Sequence, residues 1–179
     1  MPAIAMVVLD MLNPYDHEDA DRLVQGVEPI VPRLAELAGR AHRRDDVELV
    51  YVNDNYGDFS ATREDLVARA LKGRRPDLVR PVVPPRTAAF LTKARHSAFY
   101  GTALDHLLRQ RGIDTVILTG QVTEQCVLYS ALDAYVREFQ VVVPPDCVAP
   151  VHGDLGRAAL RMMERNMSAE IVPARRLLT

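Results

Sequence analysis

Apolar residues along this chain follow two alternating rhythms: short, nearly unbroken runs, and stretches in which they return every three or four positions. Residues 3–9 (AIAMVVL) form a run of the first kind, as expected of a central strand covered on both faces. Leu23, Val24, Val27, Ile30, Val31, Leu34, Leu37, Ala38 and Ala41 then recur at helical spacing. Pro29 and Pro32 do not fit inside one continuous helix, so a break is expected near Gly26, with the main helix starting around Glu28. Residues 47–52 (VELVYV) read as a second strand, ending in the polar run Asn53-Asp54-Asn55, and residues 62–72 as a helix. The segment 74–89 carries four prolines (Pro76, Pro81, Pro84 and Pro85) and reads as loop. Residues 90–92 are a short extended segment leading into Lys93.

The second half alternates more plainly. Residues 102–111 read as a helix stopped by Gly112, and 115–118 (TVIL) as a buried strand. A helix follows over 124–138, with Val127, Leu128, Ala131, Leu132, Tyr135 and Val136 at core spacing. Residues 140–143 read as strand, 154–165 as helix and 169–172 as a last strand. Six strands interleaved with helices imply an α/β fold with a parallel sheet covered on both faces.

Composition narrows the class. The 179 residues suffice for one domain with a sizeable core, with no repeat, low-complexity tract or linker to divide it, and 48% hydrophobic residues disfavour disorder. A net charge of −2 argues against a nucleic-acid-binding surface; the basic runs at 40–44 and 72–75 are short and read as solvated helix ends. No apolar stretch approaches the ~20 residues that span a bilayer. Residues 1–9 lack a basic flank and run straight into Asp10, which reads as a buried strand rather than a signal peptide. Two cysteines do not make a disulfide framework. The expectation is a reduced, cytoplasmic protein with a small-molecule partner and neither nucleic acid nor membrane.

Ligands of open α/β sheets bind beyond the carboxyl ends of the strands, and three residues fall there. Asp10 follows the first strand directly; it is either a turn cap or a carboxylate needing a buried partner. Lys93 follows an extended apolar segment, where lysine is either solvated or held for its charge. Cys126 lies in Thr119-Gly120-Gln121-Val122-Thr123-Glu124-Gln125-Cys126, a strand turning into a helix. Thr123 is a fitting N-cap, so Cys126 is expected in the first helical turn, where free N–H groups and the helix dipole favour thiolate. The plainer alternative is a small core hydrophobe. Cys147, followed by Val148-Ala149-Pro150, has no such surroundings and reads as structural.

Taken together, these motifs resemble the isochorismatase-like (cysteine hydrolase) superfamily. Val8-Leu9-Asp10-Met11-Leu12-Asn13 is similar to its first-strand motif, and residues 93–102 (KARHSAFYGT) to its lysine motif. Residues 120–127 (GQVTEQCV), followed by Ala131-Leu132-Asp133-Ala134, look like its nucleophile motif, and Asp146-Cys147-Val148-Ala149 like the turn after its fifth strand. The resemblance implies a three-layer α/β/α fold with a six-stranded parallel sheet, order 3-2-1-4-5-6. It implies that Asp10, Lys93 and Cys126 meet as a catalytic triad: Cys126 the nucleophile, Asp10 the general acid/base, Lys93 the cation that stabilises both. It also implies a cis peptide before Val122, an oxyanion hole made by the Val122 and Cys126 amides, and a homo-oligomer.

Departures from the family pattern refine the expectation. Nicotinamidases of the superfamily hold a metal through an aspartate and histidines after the second strand, whereas residues 53–59 (NDNYGDF) contain no histidine. No metal and no other cofactor is therefore expected. Isochorismatase proper cleaves an ether without depending on a cysteine, so Cys126 favours hydrolysis of an amide or carbamoyl C–N bond. A vinyl ether hydrolase and a non-catalytic binding or assembly protein on the same fold are the alternatives. Tyr15, Phe59 and Gln121 are candidate pocket residues, though Tyr15 and Phe59 serve equally well as packing. His17 and His96 read as surface or pocket-rim groups.

Overall fold

In the computed structural model, which describes residues 3–179, the apolar runs become strands of one parallel sheet. β1 (Ile4–Leu9) lies at its centre, between β2 (Val47–Asp54) and β4 (Thr115–Gln121). β3 (Ala89–Lys93) lies outside β2, while β5 (Gln140–Val143) and β7 (Glu170–Ile171) continue the sheet beyond β4. The expected order is reproduced. The last strand is seventh by count because a two-residue strand not foreseen from the sequence, β6 (Val148–Ala149), pairs with Gly120 and Gln121. Two residues are too few to carry a hydrophobic pattern of their own.

Alternation along β1 divides the core. Met6 and Val8 pack into one layer, and Ala5, Val7 and Leu9 into the other. The first layer holds α1 (Ala20–Val27), α2 (Val31–His42), α3 (Arg63–Leu71) and the single turn α4 (Pro76–Val79). The second holds α5 (Leu104–Gln110), α6 (Leu128–Val136) and α7 (Gly153–Asn166). Leu34, Leu37, Leu104 and Leu108 are fully buried between helix and sheet, each contributing about 2 kcal/mol from area removed from water. Among the described residues no helix is long and apolar enough to cross a membrane.

Three boundaries differ from the sequence pattern. Gly26 lies inside α1, and the break falls at 28–30, so that Pro32 enters the first turn of α2, where its missing N–H is harmless. The proline-rich stretch is not all loop: Pro76 opens α4, and a 3-10 turn (Arg80–Val82) follows. The helix expected from residue 124 divides into a π-type turn (Thr123–Val127) and α6. Val122, not Thr123, occupies its cap position, and the buried Thr123 hydroxyl makes no hydrogen bond.

Parallel pairing sets the register that matters for function. Leu9 pairs with Val52 on one side and Gly120 on the other, and Asp54 pairs with Lys93. The residues that follow Leu9 and Gly120 thus emerge with Asp54 and Lys93 at one carboxyl edge. Gly120 has φ of +101°, and a Cβ there would strike the backbone of Leu9. Gly112 also has positive φ (+67°), but with open space around it. Gly112→Ala should therefore cost about 1 kcal/mol of conformational strain, and Gly120→Ala at least twice that, in urea unfolding of the two variants. Equal losses would remove the close approach of β4 to Leu9.

Candidate active site

Asp10 is the first residue past β1 and turns sharply off the strand with φ of +54°, a conformation that aspartate tolerates better than most. Its amide donates to Val52 O (3.0 Å), and its own carbonyl accepts from Gln121 Nε2 (2.7 Å). With the backbone held on both sides, the carboxylate has one direction to take. Oδ1 accepts the Asp54 amide at 2.7 Å, and Oδ2 lies 2.9 Å from Lys93 Nζ. That ion pair is not a well-angled hydrogen bond, so Oδ2 keeps a lone pair for a proton.

Lys93 ends β3 with its side chain completely buried. Besides Asp10, its ammonium faces Asp54 Oδ2 at 3.7 Å and Cys126 Sγ at 3.6 Å. Burial works against that ammonium, but attraction to Asp10, to the Cys126 sulfur once ionised and to Asp54 outweighs it and holds its pKa above the usual lysine value. Burial also pushes the Asp10 carboxyl above its ordinary range, and Lys93 offsets this only in part.

Cys126 is buried in the π-type turn, where the Val122 carbonyl accepts from the Gln125 and Val127 amides and passes over that of Cys126. The Gln121–Val122 peptide is cis. The thiol is pushed up to about 12, first by burial and then by the Asp10 carboxylate, against the lowering effect of Lys93 and the Val122 amide. Burial and the facing carboxylate thus work against the thiolate that a place near a helix start was expected to favour, and a base beside the sulfur helps to draw off its proton. Cys147 is likewise pushed up to about 12, again chiefly by burial, and belongs to the core between the sheet and α2.

The residues therefore converge, and they open on a cleft of about 320 Å³ that Asp10, Asp54, His96, Gln121, Val122 and Cys126 help to line. A larger hollow of about 480 Å³ lies around Glu138, Phe139 and Ser168, at the start of β5, and contains no cysteine or lysine. Of the other expected pocket residues, Tyr15 is buried behind the cleft with its hydroxyl 3.4 Å from Gln121 Oε1. Phe59 is 84% exposed and is not part of the cleft lining. Gln121 does reach the cleft, between Asp10 and Tyr15. His96, read from the sequence as a rim or surface group, has Nδ1 3.9 Å from the sulfur and its ring stacked obliquely on Tyr129.

Several supports escaped the sequence reading. Asn53 holds the Leu12 backbone through both ends of its amide, accepting at 2.9 Å and donating at 3.2 Å. Ser97 hydrogen-bonds Asp133 (2.5 Å), and Ser130 accepts the Ala98 amide (2.9 Å), which ties the lysine segment to α6. The polar run after the second strand was the available signal for Asn53 and Asp54; nothing in sequence spacing links Ser97 to Asp133. Among the described residues no group of three or more His, Cys, Asp or Glu side chains is arranged to hold a metal ion.

A doubly wound parallel sheet carrying a buried lysine, aspartate and cysteine at its carboxyl edge defines a narrow class of α/β protein. The family model described as "Isochorismatase domain" matches residues 4–175, and the chain belongs to this isochorismatase family of hydrolases. It is 33% identical over 174 residues to the uncharacterized isochorismatase family protein YaaI of Bacillus subtilis, covering 97% of this chain and 96% of that one. It is 29% identical over 164 residues to the maleamate amidohydrolase of Pseudomonas putida, covering 87% and 76%. The crystal structure of N-carbamoylsarcosine amidase from Thermoplasma acidophilum superimposes with a TM-score of 0.72 at 28% identity, covering 97% of each chain.

The field around the thiol is directly measurable. Asp10→Asn removes the carboxylate that raises the Cys126 thiol and frees Lys93 to stabilise the thiolate. The midpoint pH of iodoacetamide labelling at Cys126, followed by peptide mass, should therefore fall below that of the unaltered protein. A midpoint that stays in place would take Asp10 out of the thiol's surroundings.

Proposed function

We propose that the protein hydrolyses a small amide or carbamoyl compound at its C–N bond, with Cys126 as nucleophile, Asp10 as general acid/base and Lys93 as their common cation. The observation that carries this reading is the Lys93 ammonium set between Asp10 Oδ2 at 2.9 Å and Cys126 Sγ at 3.6 Å, behind a cleft of small-molecule size that Asp10 and Cys126 line. Relatives named as a maleamate amidohydrolase and an N-carbamoylsarcosine amidase support the choice of a C–N bond.

As Sγ attacks the carbonyl carbon, Asp10 takes the thiol proton, and the C=O electron pair moves onto oxygen. The Val122 and Cys126 amides hold that oxyanion in this reading. Collapse of the tetrahedral centre expels the nitrogen, which leaves with the proton from Asp10, and an acyl thioester remains on Cys126. Asp10 then removes a proton from water as the water attacks the thioester, and returns it to the departing sulfur. Lys93 keeps its proton throughout: it offsets the Asp10 charge before transfer and the sulfur charge after it. No step uses a metal.

Cys126→Ala should lower ammonia release from a panel of small amides by about a thousandfold or more, and substrate should leave a mass adduct on Cys126 but not on Cys147. Undiminished ammonia release would sink the assignment. Pyruvate released from a vinyl ether substrate by Cys126→Ala, but not by Asp10→Asn, would instead favour ether hydrolysis. The pH profile supplies a further check. The base must be deprotonated, so kcat/KM should be high above the Asp10 pKa and fall below it, with the acid limb above the ordinary aspartate value of 3.8 because burial raises this group.

A further inference from the structure

The charge around the cleft says more than its shape. Lys93, buried behind the cleft, already faces two carboxylates, Asp10 and Asp54, so its charge is balanced before any ligand enters. Asp16 and Asp19 add two exposed carboxylates at the rim. Among the described residues no arginine or lysine lines the opening. Arg74, which approaches this segment at Tyr15 O (3.4 Å), is committed to Asp21 at 2.8 Å, and Arg95 stands outside the lining. His17 and His96 add positive charge only on protonation. Asp10, more than nine-tenths buried, keeps its Oδ2 against the Lys93 ammonium at 2.9 Å.

An anionic substrate would have to bring its charge past Asp16 and Asp19 towards Asp54, with no fixed cation free to receive it. Four aspartates line the cleft against the one buried Lys93 ammonium, and that imbalance disfavours such a ligand. Maleamate and N-carbamoylsarcosine, which the related enzymes are named for, both carry a carboxylate. Building on the hydrolase reading above, we propose that this cleft selects an uncharged or cationic amide and rejects carboxylate-bearing ones, with Asp16, Asp19 and Asp54 setting that preference.

The selectivity can be read at Cys126 without any knowledge of the substrate. Iodoacetamide and iodoacetate transfer similar alkyl groups but differ by one negative charge. At about pH 8.5, above the ordinary histidine range, the rate ratio of iodoacetamide to iodoacetate at Cys126 should exceed that for glutathione by about tenfold or more. Raising the salt to about 0.5 M should shrink the excess, because the rim charges are solvated. Asp16→Lys combined with Asp19→Lys, both on an exposed loop, should shrink it further. A ratio equal to that of glutathione, or one unmoved by salt and by the double variant, overturns the inference. In the paired hydrolysis assay, kcat/KM for maleamide should exceed that for maleamate; the reverse order likewise overturns it. If neither these nor any other small amide is cleaved while the reagent ratio holds, the amidase reading fails and the charge selectivity of the cleft stands.

Discussion

A lysine side chain with no exposed surface is the constraint on which the rest of this structure depends. An ammonium taken out of water is tolerated only where opposite charge and hydrogen-bond partners replace the solvent. Here Asp10 at 2.9 Å and Asp54 at 3.7 Å do so, one just past β1 and the other at the end of β2. Removing one partner from such a pair typically costs about 3–5 kcal/mol, so strand register and charge compensation support each other. The same arrangement pushes up the thiol beside them: burial comes first, then the Asp10 carboxylate, against the lowering effect of Lys93.

Geometry follows from this electrostatic arrangement. Parallel pairing brings the ends of β1, β2, β3 and β4 to one edge, so residues far apart in the chain share a site without a long loop to carry them. Around that edge the backbone is locked by side chains. Asn53 clamps Leu12, Gln121 holds the Asp10 carbonyl, and Glu124 accepts the amides of Val151 (3.0 Å) and His152 (2.7 Å). A thiol, a carboxylate and an ammonium held on strand ends and one short turn have little freedom to drift, which is what pre-organised chemistry needs.

The machinery and the mouth of the cleft obey different rules. Buried groups are fixed by one another and tolerate few alternatives, whereas Asp16, His17 and Asp19 lie on an exposed loop where a change of charge costs the fold little. A family can therefore keep one set of reacting groups while its loops present different charges to the substrate. Here those loops are acidic, although the net charge of the whole chain is only −2.

Much of this was determined by the sequence alone. The apolar runs and helical spacings are set by burial on one face or two, a local property of each segment, so the strands, their alternation with helices and the parallel sheet were legible from the pattern. The motifs around Asp10, Lys93 and Cys126 singled out three residues that the fold brings side by side. Elements whose form depends on distant partners were not legible. The split at 28–30, the π-type turn before α6 and the two-residue β6 follow from how the chain packs against the sheet edge. Tertiary structure also set the surroundings of Cys126, because burial and the Asp10 carboxylate, which push its thiol up, arrive from across the sheet. It separated Tyr15 and Phe59 from the cleft lining and moved His96 to within 3.9 Å of the sulfur. A side chain's neighbours across the fold, unlike its spacing along the chain, exist only once the sheet has assembled.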